Sequence, residues 1–264
     1  MLDSHYAGVD VGSTTTKAVI INEGGIMIGS HTTSSGTDLA KAAGECLKQA
    51  LDATRGPPPS TLVSTGYGRT NVAGVDQAIT EITCHGRGAY HIFPEALTVV
   101  DIGGQDTKVI DLDMTGRRRS FRMNRKCSAG TGVFLEEIAR RLEVPIDKLD
   151  ELARTSKRAA PLNSYCTVFA STEMLSRIRA GEPLEDLVLG AYESVIRRVT
   201  EMAQLRGTVV MTGGVVAFHP IVAEIMERET GTTVKVPPQP QLVGALGAAL
   251  IARDIAREQE GKEE

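Results

Sequence analysis

The stretch YAGVDVGSTTTKAVIINEGG (6–25) aligns without gaps on a second stretch, LTVVDIGGQDTKVIDLDMTG (97–116). The shared positions pair Asp10 with Asp101, Gly12 with Gly103, Thr16 with Thr107, Lys17 with Lys108 and Gly25 with Gly116. Each stretch contains an apolar strand that ends in Asp, a Gly-containing turn and a second β-branched strand, which is typical of a β-hairpin. An internal repeat of this kind predicts two domains that begin in the same way.

The segments that follow each hairpin also repeat in kind. In the first half, the hydrophobic spacing predicts helices at 37–53 and 76–89 and a short strand at 62–65. In the second half it predicts helices at 131–142, 146–154, 171–179, 184–204, 220–230 and 243–257, and strands at 209–211 and 233–236. We therefore predict a duplicated α/β fold whose two lobes, 1–95 and 96–264, enclose a ligand cleft.

Composition limits the classes of partner. The chain has 264 residues, is 41% hydrophobic and carries a net charge of −4, so its overall field gives no reason to expect nucleic acid or a membrane surface as partner. The amino-terminal sequence has no signal-peptide pattern, and no stretch approaches about 18 apolar residues. We expect a cytoplasmic protein.

The turn DVGSTTTK (10–17) has the chemistry of a phosphate cradle. A glycine allows backbone N–H groups to approach phosphate oxygens closely, and neighbouring hydroxyls add donors. We expect Gly12, Ser13, Thr14 and Thr15 to bind phosphate, with Lys17 as a further phosphate contact.

The two repeated aspartates are candidate catalytic residues. Asp10 and Asp101 at equivalent strand ends would hold a hydrated Mg²⁺, and Gln105 would orient an attacking water. We expect Gly103 and Gly104, the corresponding backbone positions of the second turn, to bind the nucleotide as well. The alternative is that each Asp only caps a hairpin turn; two copies and a third glycine turn favour the nucleotide interpretation.

The third glycine turn lies in VVMTGGVVAFHP (209–220). Here Gly213 and Gly214 follow an apolar strand, and the absence of side chains would let an adenine or ribose pack against the backbone. The alternative is a tight connection between a strand and a helix.

The motifs DVGSTTTK, TGYGRT, DIGGQDTK, KCSAGTG, CTVFA and TGGV occur here in the order found in activators of 2-hydroxyacyl-CoA dehydratases and in the ATPase subunits of benzoyl-CoA reductases. The chain resembles this family from residue 6 to about 252. The resemblance implies the actin-like, ribonuclease H-like ATPase fold that acetate kinase, sugar kinases, Hsp70 and actin share. It also implies ATP between the lobes and a [4Fe–4S] cluster shared by two subunits.

By position, Cys127 and Cys166 match the family's cluster ligands. Each precedes a predicted helix, whose positive end would stabilise a reduced cluster. A four-iron cluster ordinarily takes four thiolates, so two per chain require a homodimer or a pseudo-symmetric heterodimer with a similar subunit. Without the resemblance, both cysteines would be interpreted as core residues, as we interpret Cys46 and Cys84.

The resemblance implies ATP-driven electron transfer from a ferredoxin or flavodoxin-type donor to a separate iron–sulfur enzyme that acts on a CoA thioester. The stretches GGVVAFHP and RMNRKCSAGTG favour a benzoyl-CoA reductase ATPase subunit; the alternative is a homodimeric activator of a 2-hydroxyacyl-CoA dehydratase. An N-acetylhexosamine-type sugar kinase and an actin-like or chaperone-like switch are rival functions on the same fold. The basic run GRRRSFRMNRK (116–126) is either a solvated hairpin, which we favour, or a docking face.

Overall fold

The computed structural model describes residues 4–54, 56–162 and 166–263. The strands are β1 (Tyr6–Val11), β2 (Thr15–Ile21), β3 (Met27–Ser34), β4 (Thr61–Thr65), β5 (Gln77–Ala78), β6 (Leu97–Ile102), β7 (Thr107–Leu112), β8 (Arg118–Asn124), β9 (Thr208–Thr212) and β10 (Thr233–Lys235). The helices are α1 (Leu39–Thr54), α2 (Glu81–Ile92), α3 (Gly132–Leu142), α4 (Leu149–Thr155), α5 (Thr167–Arg179), α6 (Leu184–Met202), α7 (Gly214–Phe218), α8 (Ile221–Thr230) and α9 (Val243–Glu263).

The strands form two sheets of the same topology. The first has the order β3-β2-β1-β4-β5, with β1, β2 and β3 antiparallel and with β4 parallel to both β1 and β5. The second, from its opposite edge, has the order β8-β7-β6-β9-β10, with β9 parallel to both β6 and β10. Strand for strand, the two orders correspond, so the predicted duplication of an α/β unit is confirmed.

The contacts divide the chain into two compact units. The first contains residues up to 95, 112–119 and 241 onward, and the second contains 96–111 and 120–240. These units differ from the predicted lobes, because the carboxyl-terminal helix α9 belongs with the first sheet. Its small buried residues Ala245, Ala248 and Ala249 lie against β1. Small side chains let a helix backbone approach a strand closely, and this buries the apolar face of both elements.

The second unit has its own core around the second sheet. Val100 and Ile102 of β6 pack with Phe134 of α3, Val195 of α6 and Ile225 of α8, and all five are fully or almost fully buried. None of the helices in the described ranges has the length and apolar content needed to span a bilayer.

The sequence patterns did not predict β3 and β8. Most residues of β3 are only partly buried or exposed, and β8 is exposed over most of its length. Both are edge strands of their sheets, so neither has the alternation of apolar and polar residues that marks a half-buried strand. The helix predicted at 76–89 begins only at Glu81, because the Thr80 hydroxyl accepts a hydrogen bond from the Thr83 N–H and caps it.

The contact between α9 and β1 depends on Gly8. A Cβ there would collide with the Ala245 carbonyl oxygen and the Ala249 nitrogen, which are backbone atoms. We predict that Gly8→Ala lowers the free energy of unfolding by about 2 kcal/mol or more, because overpacking against backbone cannot relax by side-chain rotation. Urea denaturation measures the change.

The matched control is Gly44→Ala in α1. Gly44 is exposed and a Cβ there would meet no atom within 4 Å, so this variant should be unchanged or up to about 1 kcal/mol more stable through helix propensity. Equal stabilities for Gly8→Ala and Gly44→Ala would contradict the proposed close packing.

Candidate nucleotide and cluster sites

The first glycine turn is fixed by its own backbone and by one serine. The Gly12 N–H donates to the Thr15 carbonyl at 3.1 Å, and the Ser35 hydroxyl donates to the Gly12 carbonyl at 2.6 Å. The Ser35 N–H also donates to the Thr14 carbonyl at 2.9 Å. Ser13 at the turn is exposed and Thr14 is half-buried, so donors of the turn remain accessible to a ligand. Ser35 was not predicted as a site residue; it lies at the end of a strand whose pattern was not recognised.

Asp10 lies in a narrow slot between backbone segments. Asp10 is only 7% exposed. A Cβ on Gly66, which has φ +90°, would collide with Asp10 Oδ1, and a Cβ on Gly244 would lie 2.7 Å from Oδ2 and 2.8 Å from His85 Nε2. No hydrogen bond or ion pair joins this carboxylate to another of the described residues. The carboxylate is therefore positioned by glycine backbone and keeps its acceptor capacity.

Both carboxylate oxygens of Asp101, the equivalent residue of the second unit, have hydrogen-bond partners. Lys108 Nζ lies 3.0 Å from Asp101 Oδ2 and 2.8 Å from Asp106 Oδ1. The Thr212 hydroxyl donates to Asp101 Oδ1 at 3.0 Å. Hydrogen bonds to both oxygens and a lysine partner stabilise a buried carboxylate in its charged form.

The corresponding lysine of the first unit behaves differently. Lys17 is half-buried and donates to the Thr15 carbonyl at 3.3 Å. In the repeat alignment Thr15 replaces Asp106, so the first turn lacks the second carboxylate that holds Lys108. Among the described residues, Lys17 has no carboxylate partner, and its ammonium group is available to an anion.

The Gly213–Gly214 turn packs on the end of β6. Gly213 has φ +94°, and a Cβ there would collide with the Ile102 carbonyl and lie 2.8 Å from Asp101 Oδ1. The Gly213 N–H donates to the Pro240 carbonyl at 3.0 Å, and α7 begins at the next residue. The structure thus brings Gly213 and Asp101 together within the second unit, because Asp101 pairs with Thr212 at the ends of two adjacent parallel strands and Gly213 follows Thr212.

The second repeated turn is bonded to the start of α3. The N–H groups of Gly132 and Val133 donate to the carbonyls of Gly103 and Gly104, each at 2.9 Å. Gln105 lies exposed at the tip of this turn. The carbonyl groups of Gly103 and Gly104 are therefore hydrogen-bonded to the first turn of α3 and help to position this helix.

Cys127 and Cys166 are exposed free thiols of the second unit. The residues that follow them, Ser128 and Thr167, are joined by a hydrogen bond of 3.1 Å between their hydroxyls. This bond holds the two cysteine segments together, although they are distant in sequence. The chemistry fits half of a tetrathiolate set for an iron–sulfur cluster.

Both cysteines were predicted to lie directly before a helix, and the structure shows this for Cys166 only. Cys166 is the N-cap of α5, and its carbonyl accepts a hydrogen bond from the Ala170 N–H at 2.8 Å. Cys127, in contrast, is separated from α3 by a turn closed by the Thr131 N–H and the Ser128 carbonyl at 3.1 Å. Of the two cysteines, only Cys166 therefore lies at a helix N-terminus, where the helix dipole favours negative charge. Within the described ranges, no group of three or more His, Cys, Asp or Glu side chains is arranged to hold a metal.

The other two cysteines are core residues, as predicted. Cys46 and Cys84 are fully buried, and burial raises the pKa of the Cys46 thiol to about 11 and that of the Cys84 thiol to about 12. Both remain protonated near neutral pH, and a protonated buried thiol is a poor metal ligand.

The different environments of the two lysines predict different stability effects. Lys108→Met leaves Asp101 buried without its ammonium partner, and breaking such a pair should cost about 3 kcal/mol or more of unfolding free energy. Lys17→Met, which breaks no ion pair among the described residues, should cost less than about 1 kcal/mol. Urea denaturation of the two variants checks this, and similar losses in both would refute the asymmetry.

Comparison with known proteins identifies relatives along nearly the whole chain. The model of the BadF/BadG/BcrA/BcrD ATPase family matches residues 7–252. The 2-hydroxyisocaproyl-CoA dehydratase activator of Clostridioides difficile is 42% identical over 261 residues, covering 95% of this chain and 96% of the activator. The solved structure of the activator of the 2-hydroxyisocaproyl-CoA dehydratase from Clostridium difficile with bound ADPNP has a TM-score of 0.91 at 40% identity, covering 98% of this chain and 97% of that one.

Two further likenesses bear on the alternative functions. A benzoyl-CoA reductase subunit of Thauera aromatica is 29% identical over 177 residues, covering 64% of this chain and 63% of the reductase subunit. A ROK family glucokinase from Streptomyces griseus, in complex with glucose and AMPPNP, has a TM-score of 0.60 at 13% identity, covering 95% of this chain and all of the kinase chain. The glucokinase likeness shows a shared fold alone.

These findings agree with the duplicated sheets, and the predicted actin-like ATPase fold is confirmed. The chain belongs to the BadF/BadG/BcrA/BcrD ATPase family.

Proposed function

We propose that the protein is an ATP-driven activator of a 2-hydroxyacyl-CoA dehydratase, which transfers single electrons to that separate iron–sulfur enzyme. The observation that carries this proposal is the pair of exposed cysteines whose segments are joined by Ser128 and Thr167, in a chain 42% identical to a dehydratase activator. The comparisons favour the activator over the benzoyl-CoA reductase subunit that the motifs suggested, since the likeness to that subunit is weaker and covers less of the chain.

For the nucleotide, we propose that Gly12, Ser13, Thr14 and Thr15 bind phosphate oxygens through backbone and hydroxyl donors. The unpaired ammonium group of Lys17 adds a charge-assisted contact. The glycine turn Gly213–Gly214, where no side chain intervenes, packs against the nucleoside.

For hydrolysis, we propose that Asp10 is the principal acidic residue, because its buried carboxylate has no partner among the described residues. Such a carboxylate can accept a hydrogen bond from a water molecule that is coordinated to Mg²⁺. The bound Mg²⁺ would neutralise charge on the phosphates. Asp101, held by Lys108, acts through a water as the second carboxylate. Gln105, exposed at a turn tip, orients the attacking water.

For electron transfer, we propose that Cys127 and Cys166 of each of two identical chains hold one [4Fe–4S] cluster. Bound there, the cluster would accept and release one electron at a time. The N-terminus of α5 at Cys166 favours the added negative charge. A ferredoxin or flavodoxin-type protein is the donor, and the dehydratase is the acceptor.

The sugar-kinase hypothesis rests on the shared fold alone and assigns no role to the exposed cysteine pair. The hypothesis of an actin-like or chaperone-like switch also assigns no role to this pair. The activator gives a role to both the nucleotide turns and the thiols, and this supports our choice of it.

We predict about four irons and four sulfides per two chains after anaerobic purification. Cys127→Ala and Cys166→Ala should each lose them, while the buried Cys46→Ala control keeps them. Iron and sulfide analysis measures this. Iron-free wild-type protein, even after reconstitution, together with ATP-dependent phosphorylation of an N-acetylhexosamine would instead establish the kinase.

A second prediction concerns Asp10. Asp10→Asn should reduce the ATP hydrolysis rate about 100-fold or more, because a neutral amide holds the water ligands of Mg²⁺ more weakly than a carboxylate does. Iron content should be unchanged, because the cysteines lie in the other unit. Asp52→Asn, at an exposed position of α1, is the control. Normal hydrolysis by Asp10→Asn would remove Asp10 from the mechanism.

A further inference from the structure

The segment in front of Cys127 has a charge opposite to that of the whole chain. Six cationic residues occur between 117 and 126, and no Asp or Glu occurs from 114 through 135. They are Arg117, Arg118, Arg119, Arg122, Arg125 and Lys126. The chain as a whole carries −4, so this concentration is a local feature that needs its own explanation.

The strand in this segment, β8, is exposed on both faces. It is the edge strand of the second sheet, and consecutive positions from Arg118 to Arg122 are exposed. Because neighbouring side chains of a strand point to opposite faces, this run of exposed positions leaves both faces accessible to a partner. Phe121, an aromatic residue within the basic run, is 48% exposed. An aromatic ring among arginines is typical of protein-binding surfaces.

The three cationic side chains nearest in sequence to Cys127 have no carboxylate partner among the described residues. Among the surface arginines elsewhere in the second unit, Arg158, Arg179 and Arg206 have no carboxylate partner within the described ranges. Others do: Arg140 with Glu137, Arg154 with Asp150 and Glu224, Arg177 with Glu173 and Glu182, Arg198 with Glu201, and Arg228 with Glu193. In contrast, Arg122, Arg125 and Lys126 form no ion pair within the described ranges. Unneutralised cations on one surface attract an acidic partner and orient its approach.

The end of β8 is attached to the Cys127 segment. The Asn124 side-chain amide donates to the Cys127 carbonyl at 3.1 Å, and the Lys126 N–H donates to Asn124 Oδ1 at 3.4 Å. Cys127 itself is exposed. A protein bound along β8 is thereby held next to the Cys127 thiol.

We propose that β8 together with Arg125 and Lys126, here called the basic strand, docks the acidic face of the electron-donor protein. The inference rests on the proposed function and adds the surface at which the donor binds. A single exposed strand offers a small, polar contact area, which suits the short-lived complexes of electron carriers better than a permanent assembly. The reduced donor gives up one electron and the cluster-loaded protein gains it, with no bond made or broken.

Charge reversal tests the surface. The variant is Arg122→Glu/Arg125→Glu, and the matched control is Lys48→Glu/Lys157→Glu, which makes the same charge change at positions outside the basic strand. Isothermal titration of an acidic ferredoxin into the anaerobically purified, cluster-loaded proteins gives each Kd at low and high salt. We expect the Kd of the variant to rise about tenfold or more and its salt dependence to weaken, while the control matches wild type. Equal Kd values in variant and control overturn the proposal.

A milder substitution and a second readout guard against a folding defect. Arg122→Gln/Arg125→Gln should give an intermediate Kd. The rate of reduction by reduced ferredoxin should fall in both basic-strand variants, while reduction by dithionite, which needs no docking surface, stays the same. A variant slowed equally with both reductants overturns the docking role. Wild-type protein that neither reductant reduces would instead defeat the proposed function, so the two failures are distinguishable.

Discussion

The close approach of backbone at glycine positions fixes both strand-end carboxylates. In the first unit, Gly66 and Gly244 lie so near Asp10 that a methyl group at either position would touch its oxygens. In the second unit, Gly213 stands in the same relation to Asp101. Gly66 and Gly213 both have positive φ, which other residues adopt only with strain. Backbone that lies this close to a carboxylate restricts the rotamers that the side chain can adopt, and it moves less readily than a neighbouring side chain would.

The two copies of the turn have diverged at one decisive position. Where the first has Thr15, the second has Asp106, and this carboxylate together with Asp101 holds Lys108. Lys17 keeps its charge available, because its nearest acceptor is a carbonyl. The two turns therefore differ in one respect. The first leaves the ammonium group of Lys17 accessible to an anion. In the second, the ion pairs of Lys108 with Asp101 and Asp106 stabilise the turn to which α3 is hydrogen-bonded.

The sequence predicted those features that depend on short-range pattern. The paired hairpins followed from the gapless repeat of apolar strands and turn glycines, and Cys46 and Cys84 are buried as expected. It did not predict that α9 packs on the first sheet, since a long-range contact leaves no local period; only the concentration of Gly and Ala in GALGAA (244–249) carried a signal. Edge strands β3 and β8 were missed because exposed strands lose their apolar face. Ser35 and Thr212 were missed because a buried hydroxyl is recognisable only once its partner is known.

The second unit connects its glycine turn to the Cys127 segment through a few hydrogen bonds. The start of α3 is bonded to the carbonyls of Gly103 and Gly104, and the Thr107 hydroxyl donates to the Gly130 carbonyl at 3.1 Å. Cys127 lies immediately before this bonded stretch. A displacement of this turn would therefore be transmitted through these hydrogen bonds to the backbone next to the Cys127 thiol. Energetic coupling of the turn to the thiol would require the turn to have two stable positions, and α3 would have to move with the carbonyls of Gly103 and Gly104 or lose its hydrogen bonds to them.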